Sequence, residues 1–109
     1  MLNNVILVGR LVNDPEVKTL ENGTSVASIT LAVMKGFKNQ NGETEVDFIK
    51  CSLWEGVATA ASSFCKKGSI IGVKGRLASR DYSITFENGE SKTIKTIEVI
   101  GERISFIKI

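Results

Sequence analysis

Four residues at alternating positions, Phe48, Lys50, Ser52 and Trp54, carry the clearest chemical signal in this chain. Successive side chains of an extended strand point to opposite faces, so these four share one face while Ile49, Cys51 and Leu53 share the other. The second set is a core face. The first sets two rings beside a lysine and a hydroxyl, and a sheet buried on both sides would not ordinarily hold Lys50 there. Two readings follow: the rings cover the core rim or an oligomer contact, or they form a platform for stacking bases beside a phosphate partner. Further along, Ile71, Val73 and Leu77 have the inward parity, while Lys74, Arg76, Arg80 and Tyr82 have the outward one. Cations and a phenol on one edge match the aromatic-plus-basic grooves that track single-stranded nucleic acid, and an ordinary solvated face is the alternative. In Met34-Lys35-Gly36-Phe37-Lys38-Asn39 an aromatic sits between lysines in an expected loop. Loops normally shed large apolar side chains, so Phe37 either folds back onto the sheet or acts as a mobile stacking ring.

Every base has a π-face, so a ring accepts any of them, while lysine and arginine neutralise phosphates and release counterions. Clustered Asn or Gln side chains that would read base edges are lacking, which predicts tolerance of sequence. A balance of +2 argues only weakly for a polyanion partner. Its distribution says more. Residues 56–80 contain no acid yet hold Lys66, Lys67, Lys74, Arg76 and Arg80, while acids gather at 43–47 and 87–90. One side of the molecule can therefore be basic.

Catalysis is not expected. With no histidine there is no Ser-His or Cys-His nucleophile, and Cys51 and Cys65 alone cannot assemble the usual tetrahedral zinc site. No phosphate-cradling Gly-x-x-x-x-Gly-Lys-Ser/Thr loop occurs, and Glu43, Glu45 and Asp47 fall in or beside a turn as solvated charge. No metal or cofactor is implied. Two cysteines fit a reduced compartment better than a disulfide scaffold. No run of 18 apolar residues is available to span a bilayer, and Met1-Leu2-Asn3-Asn4 leads directly into a strand-like run without signal-peptide features. A cytoplasmic location is expected.

The elements that position these residues are legible as well. Asn22-Gly23, Asn41-Gly42 and Asn88-Gly89 each predict a reversal between antiparallel strands. Strands are expected over 4–12, 26–34, 47–54, 69 to about 82, and about 93–99, with 101–109 continuing the last one or forming a tail against the sheet. Between the third and fourth the period changes: Val57, Ala60, Ala61 and Phe64 recur at helical spacing. Lys66 and Lys67 suit the negative end of that helix and Gly68 a left-handed C-cap. Gly68, Gly72 and Gly75 fall where a tightly curved strand needs small residues. An all-β, five-stranded Greek-key barrel of the OB-fold type, with one short helix between strands three and four, is the expected fold. It is expected to fill residues 1–109 as a single domain.

On these residues the sequence resembles the bacterial single-stranded DNA-binding protein family. Asn4-Val5-Ile6-Leu7-Val8-Gly9-Arg10-Leu11 followed by Asp14-Pro15-Glu16-Val17 is similar to that family's first strand and turn. So are Ile29-Thr30-Leu31-Ala32-Val33, the strand ending Leu53-Trp54, Lys66-Lys67-Gly68-Ser69 before Gly75-Arg76-Leu77, and Thr96-Ile97-Glu98-Val99. The resemblance implies stacking at Phe37, Phe48, Trp54 and Tyr82, with basic contacts from Lys50, Lys66, Lys67 and Arg80, Arg76 being less secure. Lys35, beside Phe37, joins these as a candidate contact. It further implies a homotetramer pairing through strand one, with Leu2, Val5 and Leu7 as the apolar edge; Lys74 then belongs to a contact between dimers. The implied role is to coat and protect single-stranded DNA in replication, repair, recombination or uptake.

Two departures stand out. The family's flexible tail with an acidic tip is not seen before Ile109, so recruitment of replication or repair proteins lacks its usual carrier. A tail removed, or a short paralogue or mobile-element version, would account for it. Asp81 precedes Tyr82, where an acid weakens phosphate contacts. The rival class is an assembly adaptor, in which Phe48 and Trp54 dock onto a protein.

Overall fold

In the computed structural model, which describes residues 1–108, the chain runs β1 (Val5–Leu11), β2 (Val17–Thr19), β3 (Ser25–Lys38), β4 (Thr44–Trp54), α1 (Gly56–Phe64), β5 (Ile70–Thr85) and β6 (Ser91–Lys108). The strand order is β1-β5-β6-β4-β3-β2, and β1 also pairs with β3 at Arg10↔Ala32 and Leu11↔Leu31. That second pairing closes the five long strands into a barrel, with β2 added along β3 and α1 between the third and fourth long strands. This is the OB-fold. All pairings are antiparallel except β4 with β6, where Cys51, Ser52 and Leu53 meet Val99, Ile100 and Gly101 in parallel register.

The Asn-Gly pairs lie at the three hairpin turns, but by a different geometry from a two-residue turn. Gly23, Gly42 and Gly89 have φ of 86°, 77° and 88°, while the asparagines before them keep negative φ. The glycine amide donates back three residues, Gly23 to Leu20 O and Gly89 to Phe86 O. Asn22 Oδ1 and Asn88 Oδ1 accept from the amides two residues on. Each is thus a wider turn with glycine in the left-handed position, braced by the asparagine before it at Gly23 and Gly89 and by Asn39 Oδ1, which accepts from the Asn41 and Glu43 amides, at Gly42.

Alternation places the core as read: Ala27, Ile29, Leu31, Cys51, Leu53, Ile71 and Val73 are buried, each at 2% exposure or less. Leu77 has the inward parity but is 46% exposed, because the pairing of β5 with β1 ends at Gly75 and no strand covers that side beyond it. Where β5 passes β6, Gly75 pairs with Gly101 beside a register shift, and a Cβ on Gly75 would collide with the Ile100 carbonyl. Gly72 meets nothing nearer than 3.6 Å, so only Gly75 of these two is required by close approach.

The helix differs in detail from the sequence pattern. Ala58, Ala61 and Cys65 are the buried stripe, and Phe64 turns outward to pair with Phe106 at 5.6 Å between ring centroids. Val57 packs on the same core, half-buried beside the alanines. The helix stops at Phe64 with Cys65 already extended, so Lys66, Lys67 and Gly68 (φ 96°) form the following turn and do not cap it. At its start Glu55 adopts φ 53°, unusual for a side-chain-bearing residue, and exchanges hydrogen bonds with Ser25 through its amide and Oε1. No helix among the described residues is long and apolar enough to cross a membrane.

Candidate nucleic-acid interface

The outer face of β3 and β4 is the floor of the site. Register places Val26 against Trp54, Ser28 against Ser52, Thr30 against Lys50 and Ala32 against Phe48, all with outward parity. Six residues separate Phe48 from Trp54, about 20 Å at 3.3 Å per residue, so the two rings serve different bases. Phe48 is 67% exposed; Trp54 is half-buried and its indole Nε1 donates to Ser52 Oγ at 3.1 Å. That bond ties the indole to its own strand.

One wall is the β5–β6 hairpin. Arg80, Tyr82, Thr96, Ile97 and Glu98 join Ser28, Lys50, Cys51 and Ser52 around an open groove of about 240 Å³. A second hollow, lined by Asn13, Asp14, Glu16, Lys18, Val26 and Ser28, continues it toward β2. Ser28 borders both, so the two hollows adjoin on the floor. Asn13 anchors the far wall: its Oδ1 accepts from the Thr30 amide and its Nδ2 donates to the Ser28 carbonyl.

The charges are not all free. Arg80 Nη1 lies 3.7 Å from Glu98 Oε2, inside the groove, and Arg76 Nε lies 3.8 Å from Glu102. Among the described residues Lys50 forms no ion pair, which makes it the groove's most available cation beside Lys18. Cys51 backs the groove as a buried thiol whose pKa burial pushes up to about 11, so it supplies no thiolate. Burial raises Cys65 too, and both thiols are free.

The structure gathers Lys50, Arg80 and Tyr82 about one groove, sets Phe48 and Trp54 on the same face of β4 but in the lining of neither hollow, and leaves the other candidates elsewhere. Phe37 lies in β3, not in a loop, 69% exposed on the projecting β3–β4 arm beside a shallow hollow with Met34, Lys38 and Thr44. Lys35 lines the same hollow as Phe37, has the opposite parity from Phe48 and Trp54, and is held by Asp47 at 3.4 Å and Glu45 at 4.0 Å. Lys66 and Lys67 sit in the turn after α1, where the Lys67 amide donates to Asp14 Oδ1. They are not part of the groove lining. Lys74 pairs with Ile6 on the barrel's outer face.

Of the expected edge residues, Val5 and Leu7 share the inward parity of Gly9 and Leu11 and are half-buried against the core. The exposed apolar positions of β1 are Ile6 and Val8, at 74% and 52%, with Leu2 beyond the strand at 93%. Val8 shares an apolar hollow of about 630 Å³ with Ala32, Met34, Val46 and Ile70. Sequence reading also missed Lys18, Ser28 and Glu98. The short β2 that places Lys18 opposite Val26, one strand from Trp54, has too few residues to show a period.

A closed OB barrel with exposed rings and cations along an open cleft defines an oligonucleotide- or oligosaccharide-binding type of module. Residues 2–107 match the Single-strand binding protein family, and the chain belongs to it. It is 46% identical over 108 residues to "Single-stranded DNA-binding protein A" of Bacillus subtilis (strain 168), covering 99% of this chain and 60% of that protein. It is 44% identical to a "Single-stranded DNA-binding protein" of Halalkalibacterium halodurans, covering 99% and 62%. With "Single-stranded DNA-binding protein B" of Bacillus subtilis (strain 168) the identity is 41%, covering 98% of this chain and 91% of that protein. The chain thus spans about six-tenths of the length of the first two.

Proposed function

We propose that this chain binds single-stranded DNA with little sequence preference, coating and protecting it during replication, repair, recombination or uptake. The observation that carries this is the outward face of β4, where Phe48 and Trp54 share parity with Lys50, next to the groove lined by Arg80 and Tyr82 and the hollow lined by Lys18. Bases stack on the rings, and the lysines and arginine take the phosphates. The groove has no activated nucleophile and the reading includes no catalysis, no metal and no cofactor. Phe37, Lys35, Arg76, Lys66 and Lys67 remain proposed contacts for strand that runs beyond the cleft. The module works in the cytoplasm as a homotetramer. What supports self-association is the outer face of β1, where Ile6, Val8, Met34 and Val46 are exposed and the edge of β1 before Arg10 has no ladder partner opposite β5.

The test uses the single tryptophan. Oligothymidylate added at low and at high salt should quench Trp54 saturably, with affinity only partly lost at high salt, because stacking persists when phosphate contacts are screened. No binding at low salt would refute the proposal. In that case retention of a protein partner after nuclease treatment would favour the adaptor instead.

A further inference from the structure

We propose that the tip of the β5–β6 hairpin is a second stacking station for the same DNA strand, with Phe86 as its ring. The inference rests on the cleft being the single-stranded DNA site. Tyr82 pairs with Ile94, Ile84 with Lys92 and Thr85 with Ser91. The Phe86 amide then donates to Glu90 O at 2.8 Å, so the ladder runs one pair past the strand end. Alternation therefore puts Phe86 on the face of Arg80, Tyr82 and Ile84, with Thr96, Ile94 and Lys92 across from them. The opposite face carries Ser79, Asp81, Ser83 and Thr85.

Every residue from 81 to 93 is exposed, so this ribbon covers no core of its own chain. Phe86 and Ile84 nonetheless stand out at 49% and 38% exposure, an apolar stripe on one face only. Nothing in the fold calls for them there. The stripe is continuous with the groove through Tyr82 and Arg80, and Lys92 flanks it with a cation. Four residues of strand separate Phe86 from Tyr82, about 13 Å, enough for a distinct base. Glu87 and Glu90 at the turn repel phosphate, so the contact is made by a base face and not by the backbone.

The experiment compares the full chain and Phe86→Ala on oligothymidylates of about 6 and about 30 nucleotides, lying within and well beyond the ~4–16 covered per OB-fold. Fluorescence anisotropy should show the short oligomer unaffected and the long one weakened about fivefold to tenfold. That is the low end of a stacking range established on proteins of this very class and taken over as such. The salt slope should not change. A Trp54→Phe, Phe86→Trp chain should show quenching at the tip by the long oligomer alone. Equal affinity of Phe86→Ala and the unaltered chain on both lengths overturns the inference while leaving the cleft reading intact, provided Trp54→Ala still weakens binding. A loss accompanied by a lower oligomer mass in light scattering overturns it as well, by making Phe86 a contact between copies. If the unaltered chain binds neither oligomer, both readings fall together.

Discussion

Glu98 lines the same groove as Lys50, Arg80 and Tyr82, and its carboxylate sits where a phosphate would compete for Arg80. Glu98→Gln keeps the side chain's shape and removes the charge. The Arg80 side chain is 62% exposed and that of Glu98 23%, with 3.7 Å between the charges. A pair that open to water contributes roughly 0.2–1 kcal/mol, well below what its separation would give in a dry interior. DNA binding must break or share it, so the glutamine chain should bind oligothymidylate about 1.5- to 5-fold more tightly at low salt, with tenfold corresponding to about 1.4 kcal/mol. Releasing Arg80 for a full phosphate contact should also steepen the dependence of log affinity on log salt, by up to about 0.7. The assay is anisotropy titration across a salt series, with Arg80→Ala and the double variant completing a cycle. Most of the gain should vanish in the Arg80→Ala background. Weaker binding by Glu98→Gln would refute the reasoning, because it would mean that Glu98 holds Arg80 in its productive pose.

Two further outcomes are expected. Gly75→Ala forces a Cβ into the Ile100 carbonyl and should cost about 2 kcal/mol or more, lowering Tm by roughly 8 °C, whereas Gly72→Ala should stay within about 0.5 kcal/mol. Thermal melts of the two side by side check this, and equal melting points would count against the close approach of β5 and β6. Val8→Glu places a charge in the apolar outer face of β1 and should lower the mass in light scattering to half that of the unaltered tetramer or less, with a fall in Tm that depends on protein concentration. An unchanged mass would move the assembly contact off this face.

The sequence by itself determined the alternation in β3 and β4, the three glycine turns, the helix between the third and fourth long strands, and the facing of Phe48, Lys50 and Trp54. Those are local properties: a period of two, a φ that glycine adopts freely, and side chains whose burial follows from their neighbours along the strand. Tertiary structure alone decided which cations share the cleft. Lys50 and Arg80 meet because β4 and β5 both flank β6, whereas Lys66 and Lys67, adjacent in sequence to a strand of the groove, lie in the turn after α1 and line neither hollow. Lys35 and Arg80 look alike as charges in a string of letters, yet each has an acid across a hairpin that only the register reveals. The same holds for β1. Its apolar run shows that it is a strand, but only the pairing with β5 and β3 tells which parity meets the core and so leaves Ile6 and Val8, not Val5 and Leu7, facing outward. Side-chain chemistry is written residue by residue, while its neighbours across strands are set by closure of the barrel.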